Sequence, residues 1–272
     1  VKLRLAPATA KFIEAYSRTP SHAVLLTGPE GIGLHTLALH IARTNGTILA
    51  DVRPESKTTA LPSISVDIIR ELYIQTKSRL NGLHFVIIDD ADTMNHHAQN
   101  ALLKLLEEPN NSICFVLTTH AVDKLLPTIR SRVQTFVVPR ISTLDSKRLL
   151  SEYKTLDDVT IQRLLFVADG LPALLNRLTA GDADFKKMSE RVQLAMQIVQ
   201  GTPYRRLVHA ISFAGDRQDS IALIEAIIMV LRKSLSSQPS SSSVLMIERL
   251  LKASEAIRGN GSIKILLAAA MV

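Results

Sequence analysis

The chain has 272 residues, 46% hydrophobic and 21% charged, the balance of a globular protein long enough for two or three domains with real cores. Lys and Arg number 32 against 25 Asp and Glu, a net charge of +7 that suits an acidic partner such as nucleic acid without specifying one. The basic residues are scattered and aromatics are only 4%, which argues against a stacking platform for single-stranded bases. The opening "VKLRLAP" does not read as a signal peptide. No apolar run, "ILLAAAMV" near the C-terminal end included, approaches the ~18 residues of a membrane span. The expected compartment is the cytoplasm, with no membrane partner.

The first 140 residues alternate short apolar runs with helical patterns, and strands are predicted at 23–27, 47–50, 84–88, 113–118 and 134–138. Such alternation implies an α/β fold with a parallel sheet covered by helices. The first strand, in "HAVLLT" (22–27), runs into "GPEGIGLHT" (28–36) and then the helical "LALHIAR" (37–43). Strand, glycine-rich turn and helix are the setting of a phosphate-binding loop, and Gly28 to Gly33 keeps its spacing, with Gly31 between. The next two residues should be Lys and then Ser or Thr; here they are Leu34 and His35. Thr36 offers a hydroxyl one residue late, so on a helix it points about 100° away.

Further on, "DIIRELYIQTKSRL" (67–80) is helical, with Ile69 and Tyr73 four apart. The strand in "HFVIIDDADTMN" (84–95) ends in carboxylates. An acid at the C-terminal end of a central strand is where nucleotide-bound Mg²⁺ finds a ligand, a role that falls to Asp89. Asp90 stands where many ATPases keep a Glu that positions water, but its side chain is shorter. In "HHAQNALLKLLEE" (96–108), Ala98, Ala101, Leu102, Leu105 and Leu106 form one stripe, Asn95 is the predicted N-cap and Pro109 the stop. His96 and His97 face about 100° apart on that helix and read as an exposed helix start rather than metal ligands. The single cysteine, Cys114, lies inside apolar "SICFVLTT" (112–119) and reads as a buried structural thiol. After residue 140 strands cease. Short helices are predicted over 144–180, with a turn at Gly170-Leu171-Pro172. Helices then fill 183–272, broken at 200–203, at the serine-rich 234–243 and at 259–262.

The segment "FVIIDDADTMNHHAQNALLKLLEEPNNSICFVLTTHAVDKLLPTIRSRVQTFVVP" (85–139), with "SVDIIREL" (65–72) and "NGSIKILLAAAMV" (260–272), resembles the clamp-loader subunits of bacterial DNA polymerase III, AAA+ proteins. The likeness is strongest to the delta-prime type, with gamma/tau second. It implies an AAA+ P-loop-type parallel sheet domain at 1–140, a helical lid at 141–181 and an all-α collar, or oligomerisation domain, at 182–272.

Against active members of that family, several phosphate-binding groups are absent or displaced. Leu34 has neither the charge nor the donor of the family's lysine, and His35 replaces the Mg²⁺-binding hydroxyl. The lid arginine position falls near Leu174, with Arg177 close by. Thr118 and Thr119 remain as sensor-type residues at the end of the fourth strand. The zinc module of many relatives needs four cysteines, so no zinc is expected. In "IRSRV" (129–133) the family's Ser-Arg pair survives as Ser131 and Arg132, with Val133 in place of Cys. The resemblance implies that Arg132 reaches the ATP of a neighbouring subunit. The expectation is a non-hydrolysing delta-prime-like subunit of a sliding-clamp loader in DNA replication. Its own degenerate nucleotide site would comprise Gly28, Gly31, Gly33, Leu34, His35, Thr36, Asp89, Asp90 and Thr119. It would hold no cofactor, with ATP-Mg at the neighbour instead. Its partners would be gamma/tau and delta type subunits and, through the complex, the clamp and primed DNA. The alternatives are an active gamma-like ATPase, or a DNA-binding adaptor or repair factor on the same fold.

Overall fold

A computed structural model describes every residue except 1–3, 56–61, 78–80, 108–109, 153–155, 181, 214–215, 238, 260 and 272. Pro109 and the last turn of the pattern at 67–80 lie outside the described residues. The chain divides into two compact units, Val1–Arg177 and Leu178–Val272.

The first unit is built on five strands: β1 Ala23–Thr27, β2 Thr47–Val52, β3 His84–Ile88, β4 Ile113–Thr119 and β5 Gln134–Val137. All pair in parallel, in the order β2-β3-β4-β1-β5. The three inner strands are buried almost throughout, because helices cover both faces, and hence read as unbroken apolar runs rather than alternating ones. The edge strands β2 and β5 are largely half-buried or exposed. In register, Ile88 faces Leu117 and Thr27 faces Thr119, so the carboxyl ends of β1, β3 and β4 finish side by side. Ligands of open parallel sheets bind at such an edge.

The helices of this unit are α1 Pro7–Arg18, α2 Leu34–Asn45, α3 Val66–Thr76, α4 His96–Glu107, α5 Pro127–Arg130, α6 Thr143–Leu150, α7 Asp158–Ala168 and α8 Pro172–Ala180, whose last turn passes into the second unit. In α2 the buried residues are Leu34, Leu37, Ala38, Ile41 and Ala42, one apolar face at helical spacing. In α4 they are Ala98, Gln99, Leu102, Leu105 and Leu106, and Asn95 Oδ1 accepts the Ala98 N–H at 2.9 Å, which is the expected N-cap. His96 and His97 are exposed at its start. Gln99, buried, has its amide satisfied by the carbonyls of Met94 and Lys124 and by the Leu126 N–H. Cys114 is a buried free thiol. Helices α6 to α8 up to Arg177, the segment expected as a lid, group with the sheet. Helix α1, with Thr9, Ile13 and Tyr16 buried, has no counterpart in the sequence reading.

The second unit is helical: α9 Asp182–Gln200, α10 Pro203–Phe213, α11 Arg217–Ser237, α12 Ser241–Arg258 and α13 Ile263–Met271. Helix α11 packs on α9 and α12, and α13 packs on α10 and α12. Two boundaries differ from the sequence expectation. The serine-rich 234–243 is mostly helix: α11 runs to Ser237 and α12 starts at Ser241, with Ser240 at its N-cap position. Serine is favoured at helix starts, and packing of the apolar faces overrides its modest propensity elsewhere. Helix α11 also starts anew at Arg217, where Asp216 Oδ1 accepts the Gln218 N–H at 3.2 Å in the manner of a helix cap.

Candidate functional site

The phosphate-type loop keeps its shape. Gly31 and Gly33 sit at φ +83° and +93°, left-handed values that glycine adopts without strain. A Cβ on Gly31 would lie 2.9 Å from that of Leu174, and the Gly31 carbonyl accepts the Leu174 N–H at 3.0 Å. The loop is thus held directly against α8. Together with the ends of β3 and β4 it borders a cleft of about 280 Å³.

Beside that cleft, the two residues that open α2 are engaged within the protein. Leu34 lines the cleft but is 2% exposed, its side chain turned into the core face of α2. His35 Nε2 lies 2.9 Å from Asp51 Oδ1, and Arg53 Nη2 donates to Asp51 Oδ2 at 2.8 Å. Burial pushes the Asp51 carboxyl up, but the bonds from Arg53 and His35 outweigh it and hold the group below its ordinary range. His35 is therefore engaged by a carboxylate. Thr36 lines the cleft from an exposed position. Leu174 and Arg177 line it from α8, so Arg177 is the cleft's one arginine or lysine among the described residues.

Opposite stand Asp89 and Asp90. Thr118 Oγ1 donates to Asp89 Oδ1 at 2.7 Å and accepts the Asp90 N–H at 2.9 Å, so this hydroxyl sets the turn after β3. Asp90 takes a left-handed φ of +47°. Its carboxyl is raised from the ordinary range by burial first and then by the neighbouring Asp89, while His120 opposes the rise. Asp89 keeps one carboxylate oxygen for a cation, but among the described residues no cluster of three acidic, histidine or cysteine side chains could hold a metal ion.

Two expected members stand apart from the cleft. Thr119 does not line it: the hydroxyl, fully buried, donates to Asp92 Oδ1 at 2.7 Å. Adjacent strand residues point to opposite faces, so only one of the two threonines can serve the cleft, and it is Thr118 that touches Asp89. Gly28 contributes its carbonyl, which accepts from His120 Nδ1 at 2.7 Å. That bond fixes the tautomer, because a carbonyl cannot donate, and it leaves Nε2 3.7 Å from Asp90 Oδ1. His120 lines the cleft and was not singled out from sequence; its position directly after β4 was the available signal.

Ser131 and Arg132 lie outside the cleft, between α5 and β5. Arg132 Nη2 pairs with Glu107 Oε1 at 2.8 Å, and its Nη1 donates to the Thr128 carbonyl at 2.9 Å. Ser131 Oγ donates to the same carbonyl at 3.0 Å. Val133 packs against the hydrophobic core.

A family model described as DNA polymerase III, delta subunit matches residues 45–142. The DNA polymerase III subunit delta' of Pseudomonas aeruginosa is 31% identical over 184 residues, covering 58% of this chain and 56% of that protein. The gamma subunit of Buchnera aphidicola is 35% identical over 147 residues, covering 46% of this chain and 40% of that protein. Over the matched segments the chain is similar to the delta' and gamma subunits of DNA polymerase III. It spans about half the length of these curated relatives. A gamma subunit-related protein of DNA polymerase III from Thermotoga maritima shares the fold, with a TM-score of 0.53 and 18% identity over 97% of each chain. The likeness to DNA polymerase III subunits thus rests on sequence, and the Thermotoga structure adds a shared fold. No helix among the described residues is long and apolar enough to cross a membrane.

Proposed function

We propose that this chain is a delta-prime-like subunit of a sliding-clamp loader that does not hydrolyse ATP itself and supplies Arg132 to the nucleotide site of a neighbouring subunit. The observation that carries the reading is the pair of replacements at the start of α2. Leu34 is buried where the phosphate cation belongs, and His35 is bound to Asp51 where the metal-binding hydroxyl belongs. A triphosphate entering the cleft would face Asp89 and Asp90, with Arg177 as the one arginine or lysine lining it among the described residues. Removing a charge-assisted hydrogen bond weakens binding by about 1.5–3 kcal/mol, more than tenfold for each one missing. The loop's remaining work is mechanical: its glycines make the strand-to-helix turn and hold α8 to the sheet.

Arg132 supports the other half. It is retained within Ser131-Arg132, lies outside the chain's own cleft, and its side chain is 36% exposed. A guanidinium brought to a neighbour's ATP neutralises charge developing on the transferred phosphoryl group, worth about 10³–10⁵ in rate in well-studied cases. The partners proposed with this reading are those the resemblance implies: gamma/tau and delta type subunits and, through the complex, the sliding clamp and primed DNA.

Calorimetric titration of the isolated protein with Mg-ATP tests the inactive-site half. No binding is expected at low micromolar concentration. A clear one-to-one isotherm there would favour a gamma-like ATPase. Failure to associate with clamp-loader subunits, together with salt-sensitive DNA binding by the monomer, would favour a DNA-binding adaptor on the same fold.

A further inference from the structure

The side chain of Arg132 is tethered at three points. Two come from its own turn: the Thr128 carbonyl at 2.9 Å and Ser131 Oγ at 3.3 Å, both from Nη1. The third comes from another element, because Glu107 is the last residue of α4 and its Oε1 lies 2.8 Å from Nη2. A carboxylate is poorly placed there for the helix itself, since a helix C-terminus already carries partial negative charge. Arg132 is the cation it touches. A guanidinium has five N–H donors, and these three bonds leave two of them for another acceptor. Both side chains stay partly exposed, 36% for Arg132 and 48% for Glu107, so the pair presents the guanidinium at the surface rather than burying it.

A free arginine side chain samples many rotamers, and ordering it on encounter with a phosphate costs entropy. The geometry points to Glu107 as a positioning residue: it orders Arg132 before the neighbour's nucleotide arrives, so that the two remaining donors meet phosphate oxygens from a preset arrangement. Glu107 touches no nucleotide and acts only through Arg132. The inference rests on the trans role proposed for Arg132.

The test is a double-mutant cycle in reconstituted clamp loader, with clamp- and primed-DNA-stimulated ATP turnover measured for wild type, Glu107→Ala, Arg132→Ala and the double variant. Glu107→Ala should lower kcat about two- to fivefold with KM little changed, the size expected for a half-exposed pair. It should have no further effect once Arg132 is alanine. Glu107→Gln keeps an acceptor oxygen at the same reach and should recover at least half of the loss. Melting temperatures of all variants should agree closely, since both side chains are partly exposed. If Arg132→Ala lowers turnover while Glu107→Ala does not, the positioning role is overturned and the trans role of Arg132 stands. A rise in turnover on Glu107→Ala, or an equal loss in both backgrounds, also overturns it. If Arg132→Ala itself changes nothing, the trans role falls and the positioning role with it.

Discussion

At the level of single residues, the carboxylates of the cleft act on one another. Asp90 is the clearest case. Burial, and then Asp89, raise its carboxyl, so the folded chain binds that proton more tightly than the unfolded chain does. Stability therefore falls as pH rises from the unfolded value of about 3.9 toward the raised folded value, and at neutral pH the ionised group is a net cost. Asp90→Asn should raise the melting temperature at pH 7, by a modest ~1–2 °C because the side chain is 39% exposed and screened. The gain should vanish at pH 4 and below. Asparagine tolerates the same left-handed backbone, so a gain that did not titrate would have another cause. Leu34 gives a complementary test: buried in α2, its replacement by alanine should cost about 2–4 kcal/mol in chemical denaturation, yet leave the turnover of the assembled complex unchanged. The identities of Leu34 and His35 were legible from spacing alone. Their consequences were not, because Asp51 lies 16 residues from His35 in the chain and only the pairing of β2 beside β3 brings its strand into place. Glu107 and Arg132 were unreadable as a pair for the same reason.

Among the elements, the five strands fall where the apolar runs predicted them, and the signal is plainest in the three inner ones, since strands covered on both faces demand continuous hydrophobic stretches. The amphipathic stripe and cap of α4 were equally plain. What composition misjudged was the serine-rich 234–243, where local preference yields to the packing of α11 and α12. The contact between the loop and α8 was invisible beforehand, because it joins Gly31 to Leu174 through a backbone hydrogen bond that no side-chain pattern reports. Gly31→Ala measures that coupling. Its left-handed backbone and the 2.9 Å approach to Leu174 should together cost about 2–3 kcal/mol. Gly82→Ala is the control, since Gly82 has φ +85° with no described atom within 4 Å of an added Cβ, and should cost only the backbone share, about 1 kcal/mol. Equal losses at the two sites would mean that the loop and α8 are not tightly coupled.

On the scale of the whole molecule, the two compact units divide the work proposed for the chain. In α11, Leu223, Ile224, Ile227 and Leu231 are buried. Among the described residues of the second unit, the large exposed apolar side chains lie on α10 (Tyr204, Val208), α12 (Val244, Leu245, Leu251) and α13 (Ile265). Deleting Leu178–Val272 should leave a folded N-terminal piece that no longer joins a complex in size-exclusion chromatography, and Leu245→Glu should weaken assembly of the full chain. Catalysis across a subunit boundary remains the central claim. It is tested most directly by ATP turnover in a reconstituted complex carrying Arg132→Ala, in which assembly and the melting temperature of the altered subunit are also verified. Turnover at the neighbouring site should fall at least tenfold, with Arg132→Lys restoring only part of it, because an ammonium cannot reproduce the planar two-point contact. Unchanged turnover in a fully assembled Arg132→Ala complex would contradict the trans role and leave Arg132 an ordinary surface arginine paired with Glu107.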